Sequence, residues 1–120
     1  MDEILVIEGY EDVRELISAI LEKAGYHVVL ASNGEGGLYV LRAEPDIRAV
    51  ILNSFLSDMS GYEFATAVKL EFTGIKLVLF TGASAEEAEQ RAFDAGFNAV
   101  LYKPTGVNYI AETIRDLLSS

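Results

Sequence analysis

Four polar residues, widely separated along the chain, each follow a short apolar run. Glu8 comes after residues 4–7, Asn53 after 49–52, Thr81 after 76–80 and Lys103 after 99–102. Gathered in one place they would offer a carboxylate, an amide, a hydroxyl and an ammonium group, with Gly9 adding no side chain beside Glu8. A carboxylate attacks phosphorus because it carries full negative charge and free lone pairs. An amide is neutral, and its nitrogen lone pair is delocalised into the carbonyl. Asn53 is therefore not expected to accept a phosphoryl group. Magnesium is held by one or two carboxylates plus substrate phosphate, and it gives up its water reluctantly. Only Glu8 offers a carboxylate here, so no metal and no other cofactor is expected. Glu8 and Lys103 sum to zero charge, and Lys103 is expected to pair with Glu8, directly or through water, with Asn53 joining them by hydrogen bonds.

The elements that must position these residues follow from the apolar pattern. It switches between short strand-like runs and longer stretches of helical spacing, which predicts strands and helices alternating around a parallel sheet. Strands are expected at 4–7, 27–31, 49–52, 76–80 and 99–102. The third and fourth are nearly all apolar, as for strands covered on both faces. The first helix places Val13, Leu16, Ile17, Ile20, Leu21 and Ala24 on one face, with Gly25 as its terminator. A second helix, near 34–43, contains Gly36 and Gly37, each costing ~1 kcal/mol against alanine, and is expected to be the weakest. The third, near 61–72, turns Phe64, Ala67 and Val68 inward. The fourth, near 84–95, ends at Gly96, and the fifth carries Val107, Ile110, Ile114, Leu117 and Leu118 on one stripe. No linker or repeat interrupts the pattern, so residues 1–120 are read as one domain. In open α/β sheets the functional crevice lies outside the carboxyl ends of the strands, where strand order reverses. Glu8, Gly9, Asn53, Thr81 and Lys103 all fall at such ends.

Composition narrows the function classes. The chain of 120 residues has no cysteine and a single histidine, His27, which removes zinc and iron–sulfur sites built on those ligands. Nineteen acidic against nine basic side chains give a formal net charge of −10, which repels phosphate backbones and anionic headgroups. No nucleic-acid or membrane partner is expected. The apolar run at 4–7 is too short for a signal peptide or a spanning helix, and a soluble cytoplasmic protein is expected.

Four strings, in order and at the right separations, are similar to one family. ILVIEGYEDVRELI resembles the opening strand, acidic pair and first helix of response regulator receiver domains of two-component signalling. AVILNSFLSDMSGYE resembles the strand and loop around the phosphorylated aspartate, LVLFTGA the strand ending in a hydroxyl residue, and AGFNAVLYKP the last strand ending in Lys-Pro. The resemblance covers the whole chain. It implies a three-layer, doubly wound (βα)5 α/β sandwich of flavodoxin-like type, with strand order 2-1-3-4-5. It also implies an aspartate at position 53 that takes a phosphoryl group from a histidine kinase. A magnesium ion would be held by that aspartate and by an acid at position 9, with Lys103 and Thr81 contacting the phosphoryl oxygens.

This sequence departs from that scheme at Asn53 and Gly9. It departs again at Val100, where the family carries an aromatic that follows the threonine inward; a β-branched valine has few rotamers and little surface to move. Thr81 is retained, either for the site or as a turn cap. The Lys103–Pro104 bond is expected to be cis, as the family's usually is. Ser54 and Asp58 are poor substitute acceptors, since neither has a metal or an aimed lysine to stabilise a transition state. The interaction surface implied by the family is the fourth helix, fifth strand and fifth helix, where Tyr102 and Tyr109 could sit; Tyr109, off the apolar stripe of its helix, is expected to be exposed, and Phe93 and Phe97 are expected in the core. The expected function is that of a non-enzymatic pseudo-receiver, acting in a phosphorelay through protein contacts without being phosphorylated. A histidine kinase, an output domain or another regulator is the expected partner, with a homodimer through the same face as a further arrangement. Two alternatives remain: a working magnesium-dependent receiver blocked by Asn53, and an unrelated flavodoxin-type ligand-binding domain.

Overall fold

The computed structural model describes residues 2–119. Five strands, β1 (Glu3–Ile7), β2 (His27–Ala31), β3 (Ile47–Leu52), β4 (Lys76–Thr81) and β5 (Ala99–Tyr102), form one sheet. All pairings are parallel and the order is β2-β1-β3-β4-β5. Between them run α1 (Glu11–Lys23), α2 (Gly34–Ala43), α3 (Gly61–Glu71) and α4 (Ala85–Ala95); after β5 a 3-10 turn at Thr105–Tyr109 leads into α5 (Ile110–Ser119). The chain therefore has the expected α/β, flavodoxin-like architecture.

Alternation along the strands divides the core in two. Ile4 and Val6 of β1, Ala49 and Ile51 of β3, and Val78 and Phe80 of β4 pack against Ile17 and Leu21 of α1 and Ile110 and Ile114 of α5. Leu5, Ile7, Val50, Leu52, Leu77 and Leu79 face the other way, onto Leu41, Phe64, Val68, Ala88 and Ala92 of α2, α3 and α4. The continuous apolar runs in β3 and β4 are thus explained by cover on both faces.

The expected inward face of α1 is too broad. Leu16 is 51 % exposed and Ala24 is also exposed, whereas Ile17 and Leu21 are buried. Successive helical residues are ~100° apart, so with Ile17 at the centre of the buried stripe Leu16 falls on its flank. The last helix starts at Ile110 rather than at Val107, which lies in the 3-10 turn, half-buried.

The glycines of α2 serve close approach. A Cβ on Gly37 would run into Ile7 and Phe64, and one on Gly34 would meet the side chain of Met59. The helix sits tight against β1 and the β3–α3 loop because these positions are bare. Its first turn is correspondingly well capped: Asn33 accepts from Gly36 N at 2.8 Å, and Asp58 accepts from both Gly34 N and Glu35 N at 2.9 Å. No helix among the described residues is long and apolar enough to cross a membrane.

Candidate functional site

Parallel register delivers the chosen residues to one end of the sheet. Ile7 pairs with Leu52, Leu52 with Leu79, and Thr81 with Tyr102, so Glu8, Asn53, Thr81 and Lys103 stand together at the strand ends. The crevice lies beside β1 and β3, where the order reverses.

Its centre is an ion pair. Glu8 is 2 % exposed, and its Oε2 lies 3.2 Å from Lys103 Nζ, whose side chain keeps 23 % of its surface. The other oxygen, Oε1, accepts from Tyr10 N at 3.3 Å. Nζ also lies 5.3 Å from the centre of the Phe80 ring, a cation–π contact that aims the lysine inward rather than into solvent. The Lys103–Pro104 bond is cis, as expected. Arg14 donates to the Glu8 carbonyl at 2.8 Å, fixing the backbone from the α1 side.

Asn53 does not join this pair. Its Oδ1 accepts a long, 3.5 Å contact from Ser54 Oγ, while the ammonium it was expected to meet is engaged by Glu8 and the Phe80 ring. Ser54 was weighed in the sequence only as an acceptor of phosphate; in the structure it is a connector. Ser54 Oγ is 2.8 Å from Thr81 Oγ1, which also accepts from Ala83 N at 3.1 Å. One proton arrangement satisfies all three contacts: Ala83 N donates to Thr81, Thr81 to Ser54, and Ser54 to Asn53. Thr81 is fully buried and so shapes the β4–α4 turn while also facing the crevice. Gly9 is exposed, and a Cβ there would find its nearest neighbour, Ser32 O, at 3.8 Å.

Asp58 lies away from the ion pair, capping α2. The Glu35 N–H foremost, with that of Gly34, holds its carboxyl below the usual range against the opposing effect of burial. Sequence reading could not find this role, since the two donors lie 24 and 23 residues away.

On β5, Val100 is half-buried against Leu79. Tyr102 is half-buried with its hydroxyl enclosed and unpartnered; burial first, then the charge of Glu89 and the neighbouring Tyr62, push its pKa up. Tyr109 is exposed, as expected, and Phe97 is buried with its ring edge-on to Tyr62. Phe93 is not in the core. It is 75 % exposed, because Ala88 and Ala92 form the inward line of α4 and Phe93 follows Ala92 by one helical step. Among the described residues no group of three or more His, Cys, Asp or Glu side chains is placed to hold a metal ion.

A doubly wound parallel sheet with a polar crevice at its carboxyl end, built around a Glu–Lys pair, defines an α/β protein of flavodoxin-like topology. Residues 4–115 match the response regulator receiver domain, and the chain belongs to that family. It is 27 % identical over 115 residues to the response regulator protein VraR of Staphylococcus aureus, covering 93 % of this chain and 54 % of VraR. The chain thus spans about half the length of the curated relatives it matches. Among solved structures, a response regulator receiver domain protein from Clostridium thermocellum superposes with a TM-score of 0.91 at 22 % identity, covering 99 % of this chain and 95 % of that one. The response regulator TrrA from Thermotoga maritima, solved in complex with magnesium and beryllofluoride, gives 0.86 at 26 % identity over 98 % of this chain and 99 % of that one. The chain is a receiver module of two-component signalling.

Proposed function

We propose that this domain is an atypical receiver, one that signals through protein contacts without being phosphorylated. The observation that carries this reading is the enclosed Glu8–Lys103 ion pair at 3.2 Å. The one carboxylate in the crevice is neutralised by the lysine that a phosphorylatable receiver would turn on its phosphoryl group. Position 53, which the family resemblance assigns to the acceptor, carries a neutral amide, and position 9, assigned to a metal ligand, carries no side chain. The donor set left for magnesium is an amide oxygen and a single carboxylate already paired with a lysine, too little negative charge to offset the water that this cation sheds reluctantly. The partner in this reading is a histidine kinase, an output domain or another regulator, met as protein surface.

Titration with magnesium and beryllofluoride, which TrrA binds in its solved complex, tests the reading by NMR. The unmodified chain is expected to show no shifts around Thr81 and Lys103, whereas a chain carrying Asn53→Asp and Gly9→Asp responds there. A Cβ at Gly9 meets nothing closer than Ser32 O at 3.8 Å, so the backbone there tolerates a side chain. A saturable response of the unmodified chain, or a one-phosphate gain in intact mass after treatment with a small phosphodonor, overturns the proposal.

A further inference from the structure

Two large aromatic side chains stand in solvent beside the crevice, Tyr10 at 72 % and Phe55 at 77 % exposure. Both line one cavity of about 220 Å³, whose other walls are Glu8, Gly9, Leu56 and Ser57. Phe55 is not exposed through slackness of its loop. Leu56 N donates to Met59 O at 3.1 Å, Gly61 N donates to Ser54 O at 2.8 Å, and Phe55 itself bridges to Ser60. Leu56, next in sequence, is 3 % exposed. A hydrogen-bonded loop that buries one apolar residue and holds the adjacent ring out presents that ring as a surface. Tyr10 is tied to the same place by its N–H, which donates to Glu8 Oε1 at 3.3 Å.

We propose that this cavity receives a basic side chain, arginine or lysine, from a partner protein. Two exposed rings are its chemically distinctive walls, and no basic side chain lines it. Aromatic faces attract cations through the ring quadrupole. Glu8 is enclosed and already paired with Lys103, so the exposed ring faces carry the recognition. The cavity falls below the ~300 Å³ at which small-molecule pockets usually begin, a size suited to one long side chain. A net charge of −10 draws a basic partner and opposes a second copy of this chain. This inference deepens the preceding proposal, because it names the chemistry of the partner at the same crevice.

The test is an NMR titration with N-acetylarginine amide and, as an uncharged match in shape, N-acetylcitrulline amide. Saturable shifts at Gly9, Tyr10, Phe55 and Ser57 are expected with the arginine probe, at least several-fold stronger in affinity than with citrulline. Tyr10→Ser and Phe55→Ser each remove one exposed ring, and each is expected to weaken binding about two- to five-fold, the equivalent of one solvent-exposed cation–π contact. Both rings are exposed, so the rest of the spectrum should stay unchanged and report an intact fold. Equal binding of the two probes, no saturable shift, or concentration-dependent dimerisation covering Tyr10 and Phe55 overturns the inference. If arginine fails to bind while magnesium and beryllofluoride also leave the chain silent, this inference alone falls. A magnesium response with normal arginine binding overturns only the unphosphorylated reading.

Discussion

Replacing Lys103 by methionine keeps the length and apolar stem of the side chain and deletes its charge. Glu8 is then left 2 % exposed with no cation beside it. At 3.2 Å and an effective dielectric of ~20, the Coulomb attraction that disappears is about 5 kcal/mol, most of which offsets desolvation in the intact protein. Breaking a buried pair from one side costs ~3–5 kcal/mol. Lys103 retains 23 % of its side-chain surface, so water reaches the site and the expected cost is lower, about 2–3 kcal/mol including the lost contact with Phe80. For a urea slope of ~2 kcal/mol/M this lowers the unfolding midpoint by about 1 to 1.5 M with the slope unchanged. Adding Glu8→Gln to Lys103→Met removes the stranded charge while keeping an oxygen for Tyr10 N. The double variant is expected within ~1 kcal/mol of the parent, recovering most of the loss, the non-additivity that marks a coupled pair. A single variant as stable as the parent, or a double variant as unstable as the single, would refute the view that the pair is enclosed and mutually dependent.

Asp58→Asn should lower stability by about 0.3–1 kcal/mol, a modest figure because the carboxylate is solvent-screened. The folded pKa of Asp58 lies below its ordinary value, so its contribution is present above pH ~3.9 and is lost as pH falls through the folded value. Urea midpoints of parent and variant should therefore converge on acidification below that pH, and a constant gap would contradict the charge-based account. Gly37→Ala should destabilise by about 1–3 kcal/mol through overpacking against Ile7 and Phe64, outweighing the ~1 kcal/mol gain in helix propensity; a raised melting temperature would show that α2 moves aside without strain. Tyr102→Phe removes a buried, unpartnered hydroxyl and should stabilise by about 1 kcal/mol in thermal or urea unfolding, whereas a loss would reveal a hydrogen bond to ordered water.

The elements were legible because each left a periodic trace. The β2 and β5 limits and the α2 limits agree with the apolar pattern, and Gly25 and Gly96 end their helices with positive φ, where a side chain is strained. The Glu8–Lys103 pair was legible as well, since opposite charges at the carboxyl ends of β1 and β5 both face the one crevice. What escaped depended on contacts across the fold. Ser54 reaches Thr81 because β3 and β4 are adjacent, and Asp58 reaches α2 because a loop folds back over it; neither follows from local spacing. Phe93 misled because an aromatic beside an alanine-rich stripe reads as core, although in α4 the alanines make the close approach and the ring goes outward.

Within the proposed reading, Gly9 and Asn53 make physical sense together. With Glu8 as the sole carboxylate, Lys103 neutralises the crevice and can fold inward over Phe80. An aspartate at 53 alone would make two carboxylates compete for one ammonium; aspartates at both positions would create a repelling cluster that a divalent cation relieves. Either aspartate alone would leave an unbalanced intermediate charge. In the proposed reading, carrying neither leaves a balanced pair, a hydroxyl chain from Thr81 through Ser54 to Asn53, and two exposed rings, Tyr10 and Phe55, at the rim of the crevice.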